Sequence, residues 1–202
     1  MAKKPAATPF TALLSEVGRS DTTDPRHAWL GMEPTFSSKK SVKLWAKLSQ
    51  TEEMEDQFFE HPYILKKEKA VAQAMLKKYR AARERGEPWC LFDTVERHRD
   101  LDQWQVRRQS LDFRCHGDDN VFTVRFGLDP EVFEFSIKPV PVQWLYDARF
   151  VRFLQEIVWD VPQELGLRSS IEHGGCQFSL SAKTFMGGSL LCDQLADRLN
   201  HP

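Results

Sequence analysis

The sequence lacks most of the features that assign a chain to a common class of protein. Its 202 residues include only four cysteines, none of them in a Cys-x-x-Cys pair, which favours reduced thiols in a cytoplasmic protein over a disulfide framework. No apolar run reaches the roughly 18 residues that a membrane span needs. The first residues, Met-Ala-Lys-Lys-Pro, lack the apolar core of a signal peptide. We therefore expect a cytoplasmic protein that does not enter a membrane.

An excess of charge of either sign is also missing. Lys and Arg total 28 against 29 for Asp and Glu, and residues 1–109 carry a formal charge of +4 against −5 for residues 110–202. A dedicated nucleic-acid-binding protein concentrates positive charge more strongly than this. The chain contains no Walker A loop, no dinucleotide-binding glycine motif, no His-Glu-x-x-His and no Gly-x-Ser-x-Gly. These absences argue against nucleic acid as the partner and against several large enzyme classes.

The start of the chain has little that could be buried. Residues 1–36 contain Pro5, Pro9, Pro25 and Pro34, many Ser and Thr, and one short apolar patch. A segment of this composition contributes little to a core. We therefore interpret residues 1–36 as a mobile arm and expect the fold to survive its deletion.

Residues 37–88 follow a helical pattern. Apolar residues from Val42 to Leu48 recur at helical spacings, and a second helix is predicted to start after Pro62 and to end at Gly86. The outer face of this second helix is basic and is one candidate surface for a partner. Its basic residues are Lys66, Lys67, Lys69, Lys77, Lys78, Arg80, Arg83 and Arg85.

Residues 89–202 carry the pattern of a sheet. Three short segments rich in Phe and Val, at residues 110–115, 121–127 and 132–138, are separated by turn sequences, as in an antiparallel meander. Residues 172–181 alternate in the same way and predict a further strand.

Two amphipathic helices, over residues 147–165 and 190–199, are predicted to pack on this sheet. Because Phe133, Phe135 and Ile137 alternate along their strand, we expect them to be buried under the first helix, which carries Phe153, Leu154 and Ile157. The sequence therefore predicts an α+β fold, with a helical N-terminal region followed by an antiparallel sheet and its two helices.

The order of elements between residues 121 and 200 matches that of one enzyme family. A strand with an outward carboxylate, Glu134, continues with Ser136 and Pro139 and is followed by a long helix and a Gly-rich polar strand. That second strand, residues 175–181, aligns with a Gly-x-His-x-His-x-Ser pattern of the family. The segment Leu111-Asp112-Phe113 aligns with an earlier strand of the family. The chain thus resembles the amidoligase branch of the glutamine-synthetase-like carboxylate–amine ligases.

The resemblance implies a ligase that uses ATP and Mg²⁺ to join a small-molecule carboxylate to an amine. Glu134 and Asp112 would be metal ligands, since hard oxygen ligands suit Mg²⁺. Glu134 and Arg125 would form the catalytic pair, with Arg125 as a clamp for a phosphate or a carboxylate. The residues that would line the cofactor site are Gln177, Ser179 and His173.

The sequence departs from the family at two of these positions, because Gln177 and Ser179 stand where the family has histidines. Such a site has changed its chemistry or has lost its activity, and its polar residues could equally form an inert hydrogen-bond network. The rival hypothesis is a non-catalytic protein-interaction module that uses the open face of the sheet or the basic helix.

The chain ends at Asn200-His201-Pro202, directly after its last predicted helix. A ligase of this family would need more strands than remain. We therefore expect a fragment or a reduced version of a larger architecture. Its sheet would have an unpaired edge or an exposed apolar patch, covered by a partner or by self-association.

Overall fold

The computed structural model describes residues 29–49, 54–101, 107–114, 121–129, 131–169 and 176–180. The strands are β1 (Trp29–Phe36), β2 (Thr94–Leu101), β3 (Arg107–Arg114), β4 (Val121–Asp129), β5 (Val132–Pro141) and β6 (Cys176–Leu180). The helices are α1 (Lys39–Leu48), α2 (Met54–Phe59), α3 (Pro62–Glu84), α4 (Ala148–Phe153) and α5 (Val161–Glu164), with a 3₁₀ turn (Val142–Tyr146) and a π segment (Leu154–Asp160). The strands form one antiparallel sheet in the order β2-β3-β4-β5-β1-β6. The predicted α+β class is confirmed, whereas the predicted helix at 190–199 lies outside the described residues.

The strand β1 corrects the predicted N-terminal arm. It lies inside the sheet, between β5 and β6, and its terminal residues Trp29 and Phe36 are buried. Deleting a strand that is paired on both sides would separate β6 from the rest of the sheet. The prediction of a removable arm is therefore wrong for residues 29–36, and residues 1–28 lie outside the described part of the chain.

The helices α1 and α3 form where the sequence predicts them. Ser38 and Ser41 make a reciprocal capping box at the start of α1, and the Oγ atom of Ser38 lies 2.8 Å from the hydroxyl of Tyr63 on α3. Pro62 occupies the first turn of α3, and Gly86 follows its end with a φ angle of +72°, a conformation that favours glycine. Among the described residues, no helix is long and apolar enough to cross a membrane.

The helices share one hydrophobic core with the sheet. α3 packs against β2, β3 and β4, and the ring of Tyr79 on α3 contacts the rings of Phe113 on β3 and Phe153 on α4. Residues 37–88 are therefore not a separate region, because residues from both sides of the predicted boundary at residue 88 belong to this one core. The predicted core residues of β5 and of the helical run after it are all buried. They are Phe133, Phe135, Ile137, Phe153, Leu154 and Ile157.

The predicted helix over residues 147–165 is present, but it changes type along its length. A π segment separates α4 from α5, and Pro162 lies in the first turn of α5. Proline has no N–H to donate and crowds the preceding turn of an α-helix, and the wider π turn accommodates both effects. Pro162 therefore changes the hydrogen-bonding pattern of the helix without ending it.

The strand β5 extends past its predicted end at Lys138, through Pro139 and Pro141. The pairing of β1 with β5 shifts register between Leu30 and Met32, so Lys138 and Pro139 together lie opposite Gly31. A bulge interrupts the ladder of hydrogen bonds to which proline cannot donate. The strand therefore keeps its direction, and Lys138 stays within it.

Candidate functional site

The two faces of the sheet differ in chemistry. One face packs on α3 and on the helical run from α4 to α5, and we call it the helix-covered face. The side chains of alternate residues lie on the opposite face, which we call the polar face. The strand register aligns six polar residues in one row across this face. In order from β2 to β6, they are His98, Ser110, Arg125, Ser136, Glu33 and Gln177.

A cleft of about 330 Å³ opens on the polar face over β4 and β5. Its lining is mostly polar and contains two cationic side chains, from Arg125 and Lys138. Two hydroxyl groups and two less polar residues complete it. These are Thr123, Ser136, Ile137 and Pro139.

The two cations of the cleft lie in different environments. Arg125 is exposed, whereas Lys138 is partly buried. Burial lowers the pKa of Lys138 from its ordinary value, and the negative charge of Asp112 acts in the opposite direction. Asp112 is therefore close enough to Lys138 to affect the pKa of its ammonium group, although the two residues are on β3 and β5.

Hydrogen bonds hold Asp112 beside the cleft. The hydroxyl of Thr123 donates to Oδ1 of Asp112 at 3.0 Å, and the hydroxyl of Ser110 donates to the same oxygen at 3.3 Å. On the far side, Nε2 of His98 lies 3.7 Å from Oδ2 of Asp112 and 3.6 Å from a carboxylate oxygen of Glu96. This network connects β2, β3 and β4 through side chains of the polar face.

The predicted catalytic pair lies on the polar face. Arg125 pairs with Ser136 across β4 and β5, and Glu134 pairs with Gly127, so Arg125 and Glu134 are diagonal neighbours on adjacent strands. Diagonal neighbours are about 7–8 Å apart. Glu134 is only 6% exposed, so its carboxylate is much less accessible than the guanidinium of Arg125.

The predicted cofactor residues are on the same face but farther away. Gln177 and Ser179 lie on β6 and pair with Glu33 and Gly31 of β1. Three strand spacings separate β6 from β4, which is about 14 Å. Gln177 and Ser179 therefore do not line the cleft, and His173 lies outside the described residues.

The two predicted metal ligands do not come together. Asp112 pairs with Thr123, whereas Glu134 is two strands away from Asp112 and four residues along β5 from Lys138. The strand spacing and the rise per residue place Asp112 and Glu134 about 16 Å apart. One Mg²⁺ ion, with its ligand oxygens at about 2.1 Å, cannot contact both carboxylates. In the described ranges, no group of three His, Cys, Asp or Glu side chains is arranged to hold a metal ion.

Sequence reasoning did not include Thr123, Ser136 and Lys138 among the site residues. A signal for them was present, because alternation places Thr123 with Arg125 on β4 and Ser136 with Lys138 on β5. The proximity of Asp112 to Lys138 could not be read in this way, since it depends on the register of three strands.

The basic helix α3 directs part of its charge into the protein. Nζ of Lys67 donates to the carbonyl oxygen of Leu165 at 2.8 Å. Nζ of Lys78 lies 3.0 Å from Glu156 and 2.9 Å from Glu164. The outward basic stripe of α3 is therefore shorter than the sequence pattern indicates. Its exposed lysines are Lys66, Lys69 and Lys77.

Comparison of the chain with models of known protein families, with curated protein sequences and with solved structures gave no match. The geometry and chemistry of the polar face are therefore the basis for assigning a function.

Proposed function

We propose that the protein is a non-catalytic binding module that recognises its partner with the polar face of the sheet. The observation that carries this proposal is the cleft over β4 and β5, in which Arg125 and Lys138 lie with the hydroxyl of Ser136. Antiparallel pairing on both sides fixes the backbones of β4 and β5. Such a backbone presents these groups in one geometry before a partner arrives, which lowers the entropic cost of binding.

The basic helix is a weaker candidate for the same role. Lys67 and Lys78, two of its basic residues, bind groups within the protein. The remaining exposed lysines lie on one convex helix surface, and an exposed charge run of this kind contributes little to specific recognition.

The magnesium–ATP ligase implied by the resemblance has less support from the geometry. The separation of about 16 Å between Asp112 and Glu134 does not fit one shared Mg²⁺ site. Gln177 also lies about 14 Å from Arg125, and Ser179 is farther away. An ATP-dependent ligase activity stays a prediction from sequence, and the experiment below includes it as an outcome.

The test is a screen of small-molecule fragments against the full chain, followed by mapping of the backbone amide chemical shifts by NMR. We expect the binders to perturb the amides of β3, β4 and β5 around the cleft, and titration calorimetry with millimolar Mg²⁺–ATP to give no heat of binding. A set of binders that perturbs α3 instead, or the absence of any binder, would contradict the proposal. Saturable binding of Mg²⁺–ATP would favour the ligase.

Two variants separate the cleft from the basic helix. Ser136→Trp places a large side chain in the cleft, and we expect it to abolish the shift changes that the fragments cause. Lys77→Ala removes an exposed lysine of α3 and is the matched control, with fragment binding unchanged. Unfolding curves of both variants show whether each one is folded before its binding is measured.

A further inference from the structure

We infer that the outer edge of β2 is a docking site for an extended protein segment with acidic side chains at alternate positions. Such a segment would add a strand to the sheet beside β2. The site lies at the edge of the sheet and not on its polar face, so it goes beyond the proposed function and is tested separately.

The backbone of β2 has groups that point away from the sheet. In the described ranges, only β3 pairs with β2. The N–H and C=O of one residue in an antiparallel strand point to one side, and those of the next residue point to the other. The carbonyl oxygen of Val95 accepts from Nη2 of Arg80 on α3 at 3.2 Å, which places the backbone groups of Val95 on the side away from β3. Arg97 and Arg99 share this direction, so their N–H and C=O groups point to where a further strand would lie.

The helix α3 leaves enough of this edge for a strand to bind. The bond from Arg80 occupies the edge at Val95, and β2 continues to Leu101. The part from Arg97 to Leu101 is five residues long, which is close to the usual length of a strand.

The side of this edge that faces α3 has an excess of positive charge. Arg97 pairs with the buried Leu111 of β3, so its side chain lies on the helix-covered face, where it is exposed. The described charges of this region are those of β2 on this face, of Asp93 just before β2 and of the exposed side chains in residues 77–84 of α3. They are four cations, Lys77, Arg80, Arg83 and Arg97, against two carboxylates, Glu84 and Asp93. Acidic side chains directed towards α3 would neutralise this excess.

The polar face beside the same edge is different. The carboxylate of Glu96 lies 3.5 Å from Nε of Arg114 and 3.6 Å from Nε2 of His98, and Asp112 adds a second negative charge next to His98. Acidic side chains directed to this face would meet charge of their own sign. The added strand should therefore have acidic residues at every second position, with neutral residues between them.

The arginines of β2 disfavour a second copy of this chain as the added strand. A two-fold antiparallel pairing centred on Arg97 places this residue opposite its own copy. A pairing centred on His98 places Arg97 opposite position 99, which is also an arginine. Like charges directly opposite each other destabilise a strand pair, so an acidic segment of another protein fits this edge better.

Three peptides test the edge against the full chain by NMR mapping of the backbone amide shifts. The probe is acetyl-Thr-Glu-Thr-Glu-Thr-Glu-Thr-amide, the second peptide has Lys in place of Glu, and the third has N-methylated Glu residues. Residues directly opposite each other share a face and exchange backbone hydrogen bonds at alternate pairs, so a Glu opposite Arg97 donates its N–H to β2. N-methylation removes this donor and keeps the charge.

We expect the probe to shift the amides of β2 and to bind at least tenfold more tightly than either of the other two peptides. Equal affinity of the N-methylated peptide would overturn strand addition, and equal or tighter binding of the Lys peptide would overturn the acidic chemistry. Shifts at β4 and β5 instead, or no binding at millimolar peptide, would overturn the site on β2. None of these results depends on whether fragments bind the cleft, so a failure of the proposed function is distinguishable.

Hydrogen exchange of the full chain tests whether the edge is accessible. The amides of Arg97 and Arg99 should exchange at least tenfold faster than those of Glu96 and His98, which point towards β3, and the probe should slow the exchange of Arg97 about tenfold or more. Slow exchange of Arg97 in the free protein would show that the edge is already covered, by this chain or by a second copy, and would overturn the inference.

Two variants with the same change in charge test the position of the site. Arg97→Glu should weaken binding of the probe about tenfold or more, because it places like charges opposite each other. Lys69→Glu changes an exposed residue of α3 three turns before Arg80 and is the matched control, with affinity changed less than about twofold. Unfolding curves show that each variant is folded. Equal losses in the two variants would indicate general charge attraction and would overturn the site on β2.

Discussion

The hydroxyl of Tyr79 both donates to the carbonyl oxygen of Phe92 and accepts from the backbone N–H of Phe92, each at 2.7 Å. Nη1 of Arg83, one turn later on α3, donates to the same carbonyl oxygen at 3.3 Å. These bonds attach the segment before β2 to α3. Because the hydroxyl is buried, the pKa of Tyr79 is raised well above its ordinary value, and the phenol keeps its proton.

Replacing Tyr79 with Phe tests this attachment. The ring stays in the core, but the buried N–H of Phe92 loses its acceptor, so we expect a loss of about 2 kcal/mol in the free energy of unfolding. Urea denaturation of the two proteins gives this difference. A change below about 0.5 kcal/mol would mean that the hydrogen bonds contribute no net stability.

Phe135→Ala tests the core of the sheet. Phe135 is fully buried on β5 and contacts the rings of Phe36 and Phe126. The cavity left by the lost ring should cost about 3–5 kcal/mol. Phe178→Ala is the matched control, because Phe178 lies on the same sheet but is 62% exposed, and it should cost less than about 1 kcal/mol. Equal thermal midpoints for the two variants would contradict the core assignment.

Lys78→Met tests the ion pairs between α3 and the helical run from α4 to α5. Burial lowers the pKa of Lys78, but hydrogen bonds and charges from Glu164 and Glu156 outweigh this effect and raise the pKa above 10.5. The contribution of these pairs to stability is therefore complete below pH 10.5 and is lost as the pH rises through the higher folded-state pKa.

We expect Lys78→Met to be less stable than the unchanged protein by about 1 kcal/mol at pH 7, the usual size for a partly exposed pair. The difference should hold up to about pH 10 and narrow above it. Denaturation curves of both proteins across this pH range provide the measurement. A difference that grew with rising pH would have the wrong sign for this explanation.

Alkylation of Cys90 tests its local environment. Burial raises the pKa of the Cys90 thiol from 9.0 to about 11, and only the thiolate reacts with iodoacetamide. At pH 8 the native protein should therefore label Cys90 roughly 100-fold more slowly than the urea-unfolded protein, as the shift in pKa implies. Mass spectrometry of the Cys90 peptide follows the reaction in both states. Equal rates would show that the pKa of Cys90 is not raised in the folded protein.

The helices and the later strands could be predicted because their patterns are local. Pro62 and Gly86 mark both ends of α3, and the alternation of Phe133, Phe135 and Ile137 marks the buried face of β5. These signals depend on residues a few positions apart, so the sequence displays them directly.

The strands β1 and β2 were not predicted from the sequence, for two different reasons. β1 contains Gly31 and Pro34, which are typical of turns, and its stability comes from pairing with β5 and β6 on either side. β2 is at the end of the sheet order, and within residues 94–98 only Val95 is buried. A strand of this kind has no apolar alternation for a sequence pattern to detect.

The candidate site could be predicted only in part. Arg125 is on the polar face, as alternation along β4 indicates, but the separation of Asp112 from Glu134 depends on strand order and register. A shift of one residue in any of these pairings would move the side chains to the opposite face. Tertiary pairing, which a single sequence does not display, therefore decides which polar residues meet.

The place of β1 also determines the order in which the sheet can assemble. β1 is the earliest described strand in the chain, but its neighbour β5 begins only at Val132. During synthesis, β1 therefore has no β5 to pair with until about a hundred further residues have been made. β6 pairs with β1, so β1 is the strand that connects β6 to the rest of the described sheet. Contacts between such distant segments slow folding, and the waiting strand exposes unpaired backbone groups to other chains.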